Sequence, residues 1–97
     1  MSEVREEYSA LMTAFVDGTI SASEFERRYL DKFKAEQRPL DEATYQVLDG
    51  VFGDVDAFCA DEALYGQIAA EHPGWPLNAT ELRDKVRTAV ARLSATG

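Results

Sequence analysis

The two side chains with the greatest intrinsic reactivity, Cys59 and His72, are each the sole residue of their type in the chain. A lone cysteine cannot close an internal disulfide, and one cysteine with one histidine falls short of the ligand set of a closed zinc site. His72 has neither a nearby nucleophile nor a patterned orienting acid, and no glycine-rich phosphate loop is present, so nucleophilic and nucleotide-dependent catalysis lack a foundation. Asp54-Val55-Asp56 followed by Asp61-Glu62 resembles the start of a calcium loop. Where an EF-hand needs an oxygen ligand and then a glycine, however, this chain has Phe58 and Cys59. Asn78-Ala79-Thr80 matches a glycosylation sequon, but helix capping accounts for Asn78. The expectation is a protein without catalytic residues, metal or cofactor.

Carboxylates are what remains, and their distribution is uneven. Residues 1–40 hold eight acids and six bases, residues 41–82 hold nine acids and no base, and residues 83–97 hold one acid and four bases. The segment charges of −2, −9 and +3 make up the chain's −8. The middle segment carries Asp41, Glu42, Asp49, Asp54, Asp56, Asp61, Glu62, Glu71 and Glu81. Such a field attracts a basic partner and repels nucleic acid. The bland reading is a solvated face kept for solubility. Tyr45, Phe58, Tyr65 and Trp75 fall in the same segment, and aromatics among charges make good interface anchors, although Phe58 also suits a core and Trp75 could simply close the bundle.

The elements that must position these groups follow from apolar spacing. Val4, Tyr8, Leu11, Met12 and Phe15 form one helical stripe, ended by Asp17-Gly18, where glycine takes the left-handed cap conformation cheaply. Ser21-Ala22-Ser23-Glu24 has capping-box spacing and starts a second helix reaching to about Arg38, with Phe25, Tyr29 and Phe33 inward, Leu30 a further candidate, and Pro39 beyond it. A third helix begins after Asp41 with Tyr45, Leu48, Val51, Phe52, Val55 and Phe58 at three- and four-residue steps. Gly50 and Gly53 each weaken that helix by about 1 kcal/mol relative to alanine, so close packing or an early end near Gly53 is expected there, or else a partner's close approach. Residues 61–77 read as a loop with a short helical turn capped by Asp61. Asn78 and Glu81 open the last helix, with Leu82, Val86, Ala89, Val90 and Leu93 inward. The fold class is all-α: an antiparallel four-helix bundle with room for a short extra helical turn before the last helix, in a single domain over 1–97. The opening Met1-Ser2-Glu3-Val4-Arg5-Glu6-Glu7 lacks signal-peptide chemistry, and no apolar run approaches the roughly 18 residues of a membrane span, so the expected compartment is the cytoplasm.

Two stretches carry a family resemblance. Phe15-Val16-Asp17-Gly18-Thr19-Ile20-Ser21-Ala22-Ser23-Glu24-Phe25-Glu26-Arg27-Arg28-Tyr29-Leu30 is followed by Leu48-Asp49-Gly50-Val51-Phe52-Gly53-Asp54-Val55-Asp56-Ala57-Phe58 and the closing Glu81-Leu82-Arg83. Together they resemble the self-protective immunity proteins of the colicin D immunity type over most of the chain. The resemblance implies a helical inhibitor, not an enzyme, with which a toxin-producing bacterium neutralises its own nuclease. In the colicin D case that nuclease is a ribonuclease that cuts transfer RNA. It further implies that acidic groups stand where RNA phosphates would lie.

On this reading the partner is a basic toxin nuclease domain, bound by a chain that is monomeric beforehand and contacts neither nucleic acid nor membrane. The expected contacts are Asp49, Asp54, Asp56, Asp61 and Glu62, with Tyr65 as an aromatic anchor. Asp49 and Asp56 lie seven residues apart, about two helical turns, and Asp54 and Asp61 have the same relation if the helix continues. The rival reading is a regulatory module that takes a peptide or a second copy of itself in an apolar groove, which salt would weaken far less.

Overall fold

A computed structural model describes residues 3–59, 61–73 and 76–95, together with the backbone but not the side chain of Glu62. These residues are all-helical, with no strand among them: α1 (Glu3–Val16), α2 (Ala22–Ala35), α3 (Glu42–Ala57), α4 (Glu62–Glu71) and α5 (Ala79–Ala95). The expected short turn before the last helix is thus a full helix of 10 residues, and α2 stops at Ala35 rather than Arg38. Trp75, expected as an anchor or closure, lies outside the described residues.

Local chemistry explains most of the boundaries. α1 ends in a Schellman motif. Gly18 sits at φ 83°, Thr19 N–H donates to the Ala14 carbonyl at 2.8 Å, and Gly18 N–H donates to that of Phe15 at 3.1 Å. Ser21 Oγ accepts from Glu24 N–H at 3.1 Å. The other half of that capping box is absent, because the Glu24 carboxylate turns to Arg28 at 2.9 Å instead of reaching back. Asp41 caps α3 through Thr44, and Asp61 caps α4 by accepting from Ala63 and Leu64 N–H at 2.9 and 3.1 Å. At α5 the box is complete: Asn78 Oδ1 accepts from Glu81 N–H at 2.8 Å, and Glu81 Oε1 accepts from Asn78 N–H at 3.0 Å.

α1 packs on α5 and α2, α3 packs on α5 and α2, and α2 meets α5 more lightly, whereas α4 has no extensive contact with any other helix. The buried side chains, Tyr8, Met12, Phe15, Phe25, Tyr29, Leu48, Val51, Val55, Leu82, Val86 and Leu93 among them, form one cluster. Each such large side chain contributes about 1.5–3 kcal/mol of transfer free energy. Phe15 and Phe25 stack at 4.7 Å between centroids, and Tyr8 meets Tyr29 edge-on at 5.7 Å. One polar tie crosses this interior: the buried Tyr29 hydroxyl donates to the Leu48 carbonyl at 2.6 Å, locking α2 to α3.

The segment bearing α4 leaves this core and returns to it through an isolated parallel bridge between Phe58 and Leu77. Cys59 N–H donates to Leu77 O at 2.8 Å, and Leu77 N–H donates to Ala57 O at 3.0 Å. α4 is therefore held at its base rather than by a buried face.

Candidate functional site

The nine acids of residues 41–82 do different work in the folded chain. Asp41, Asp61 and Glu81 are helix caps. Hydrogen bonds from Thr44 hold the Asp41 carboxyl below the usual carboxylate range, and the Tyr65 hydroxyl does the same for Glu81. Glu42 accepts from the Gln46 side chain at 3.2 Å, and Glu71 is exposed at the end of α4. Much of the excess negative charge is thus spent on helix termini, where a carboxylate complements free N–H groups.

Asp49, Asp54 and Asp56 remain on α3. Asp49 and Asp56 are exposed, lie two turns apart on one face, and make no ion pair or hydrogen bond among the described residues. Asp54 points the other way, about 200° around the helix from Asp56. It is half-buried, burial pushes its carboxyl up, and Lys85 of α5 pulls it back. The expected ridge from Asp54 to Asp61 does not form, because α3 ends at Ala57 and Asp61 begins a new helix. Asp61 and Tyr65 sit on α4, with the Tyr65 hydroxyl donating to Glu81 Oε1 at 2.7 Å. The Glu62 side chain lies outside the described residues. The six expected contacts therefore divide into Asp49 with Asp56, Asp54 facing α5, and the α4 group.

Sequence reasoning missed Glu26. It is half-buried on α2, and desolvation together with the charge of Asp56 pushes its carboxyl up. No base pairs with it among the described residues. The available signal was spacing: Glu26, Leu30 and Phe33 follow i, i+4, i+7 along the flank of the inward stripe. Tyr45, which falls on the apolar spacing of α3 and is also expected as an interface anchor, is 48% exposed. Gly50 and Gly53 are exposed, and a Cβ added at either would meet nothing within 4 Å, so close packing does not explain them.

Asp49 and Asp56 are exposed carboxylates without an ion pair among the described residues, and the partly buried rings of Phe33 and Phe52 lie 5.2 Å apart between centroids where α2 meets α3. Cys59 Sγ donates to the Asp61 carbonyl at 3.4 Å, while His72 ends α4 in solvent. Among the described residues no group of three or more histidines, cysteines and carboxylates is placed to hold a metal ion.

A family model for bacterial self-protective colicin-like immunity matches residues 2–93. The chain belongs to that family. No curated protein and no solved structure matches it. Membership in the colicin-like immunity family implies toxin inhibition as the activity and a cognate colicin as the partner. No described helix of this immunity-family chain is long and apolar enough to cross a membrane.

Proposed function

We propose that this chain is an immunity protein of the colicin D kind, which binds a toxin nuclease and occludes its active site without turning over a substrate itself. The target is a ribonuclease that cleaves transfer RNA, and carboxylates of the inhibitor stand where RNA phosphates would lie. The chain acts as one domain, with α1, α2, α3 and α5 as a four-helix bundle. It remains a monomer in the cytoplasm of the producing cell until the toxin is met.

One observation carries this reading: Asp49 and Asp56 stand exposed on α3 without an ion pair among the described residues, within a segment of nine acids and no base. A nuclease grips phosphates with lysine and arginine, so its active site is a ready partner for such carboxylates. Complementary fields also speed encounter, by about 10- to 1000-fold at low salt, which suits an antidote.

The test is replacement of Asp49, Asp54, Asp56 and Asp61 by asparagine, singly and together. Binding is measured at two salt concentrations against the cognate colicin toxin domain, with helicity checked for each variant. The unpaired positions 49 and 56 should dominate, losing about 2–5 kcal/mol where the pair is desolvated and about 0–1 kcal/mol at a rim. Unchanged binding in all four variants and their combination would sink the phosphate-mimic mechanism.

A second reading has one observation of its own. Between α1 and α5 runs a groove of about 630 Å³ lined by Arg5, Glu6, Ser9, Ala10, Thr13, Ala14, Asp17, Leu93 and Ser94, and Arg5 Nε is buried without a hydrogen-bond partner among the described residues. A peptide or second copy held there would bind with little dependence on salt.

A further inference from the structure

Two helical stripes meet along the outer seam of α2 and α3. α2 contributes Glu26, Leu30 and Phe33, at steps of four and three residues, and α3 contributes Tyr45, Asp49, Phe52 and Asp56, at steps of four, three and four. Phe33 lies 6.5 Å from Tyr45 and 5.2 Å from Phe52 between ring centroids, and it stacks at 5.9 Å over the buried Tyr29. Leu30, Phe33 and Phe52 are only partly buried, and Tyr45 is an exposed large hydrophobic. The seam is thus an aromatic strip with carboxylates along it.

The bases of α2 do little to neutralise it. Arg27 and Arg28 pair with Glu24 at 3.6 and 2.9 Å, and Lys32 is held by Glu7 at 2.6 Å. Arg38, beside Tyr45 at one end, is held by Glu7 and Glu36 at 2.8 and 2.7 Å. Lys34 is the only base of α2 without an ion pair among the described residues. Glu26, Asp49 and Asp56 are left with no ion pair among those residues, and Glu26 suffers repulsion from Asp56 that a cation would relieve.

We infer that this seam is the arginine-docking face of the inhibitor: arginines of a basic protein partner stack along the Phe33, Tyr45 and Phe52 rings, and the one at the Phe52 end pairs with Glu26 and Asp56. Arginine is the side chain that does both, because its planar, weakly hydrated head stacks on aromatic faces and presents a fork of donors to carboxylates. Rings at an interface centre flanked by desolvated charge pairs are also where binding energy concentrates. The inference rests on the toxin-inhibitor reading for its partner, and it extends the contact from Asp49 and Asp56 of α3 across the seam to α2.

Two measurements test it separately. In the first, a hexa-arginine peptide is titrated into the labelled chain and followed by amide chemical shifts. Shifts should concentrate at Glu26, Phe33, Tyr45, Asp49, Phe52 and Asp56, and Glu26→Gln with Tyr45→Ala should abolish them. Shifts centred on α4, or spread evenly over the acids, would overturn the inference. In the second, affinity for the cognate colicin toxin domain should fall at least about 10-fold in Tyr45→Ala and in Glu26→Gln, with no change in the Asp84→Asn control. Lys34→Gln should tighten binding. Toxin bound equally well by the Tyr45 and Glu26 variants would overturn the seam and leave the inhibitor reading standing. If the parent chain binds no toxin, the inhibitor reading fails and the peptide titration alone decides whether the seam takes arginine.

Discussion

Tyr65 and Glu81 form the one side-chain hydrogen bond between α4 and α5 among the described residues, at 2.7 Å, and the same Glu81 oxygen also accepts from the Asn78 N–H that opens α5. α4 has no buried residue among those described, so this bond and the bridge at its base hold it in place. Tyr65→Phe should therefore raise the hydrogen-exchange rates of α4 amides while leaving global unfolding within about 0.5 kcal/mol of the parent. Loss of protection across α1 and α5 as well would show that α4 is integral to the core.

The Tyr29 hydroxyl offers a contrasting case, because its bond to the Leu48 carbonyl is buried and spans two packed helices. Tyr29→Phe keeps the ring and its stacking on Phe33 but removes the donor. The expected cost is about 0.5–1.5 kcal/mol in denaturant unfolding, with an unchanged slope. A cost near zero would mean that the α2–α3 junction is set by ring packing alone.

Acid should destabilise the fold through Arg38. Its hydrogen bonds hold the carboxyls of Glu7 and Glu36 down at about 2, against an ordinary value of 4.5. Both folded values lie below the unfolded ones, so their stabilising contribution is complete above about pH 4.5 and is lost as pH falls towards about 2. Urea midpoints from pH 7 to 3 should decline, and Arg38→Gln should flatten that decline. Glu26 has the opposite sign. Burial and Asp56 raise its folded value, so its ionised form destabilises at neutral pH and Glu26→Gln should raise the midpoint there.

Gly53 occupies an exposed helical position with open space at its Cβ. Gly53→Ala should stabilise the free chain by up to about 1 kcal/mol through helix propensity. If a partner approaches the α3 backbone there, the same change should weaken toxin binding. Calorimetry on the free and bound forms separates the two effects, and a variant that is both more stable and fully protective would remove any contact role for this glycine.

Helix existence was legible in the sequence because its causes are local. The i, i+4 spacing of Val4, Tyr8 and Met12, the stop at Gly18, and the caps at Ser21, Asp41 and Asn78 with Glu81 all act within a few residues of chain. The broad colicin-like immunity family was legible too, since the residue blocks around Ser21 and Asp49 lie within the matched span. Partnership among the acids was not. Whether Asp61 extends a ridge or caps a helix depends on where α3 stops, and Glu26 meets Asp56 only because α2 packs on α3. The tertiary structure also decided between the two places the sequence allowed Tyr45, leaving it exposed, and made a helix outside the core of the segment that read mostly as a loop. The physical reason is range: capping and periodicity are settled within a turn or two, whereas which charges share a surface is decided by the packing of helices that are distant in sequence.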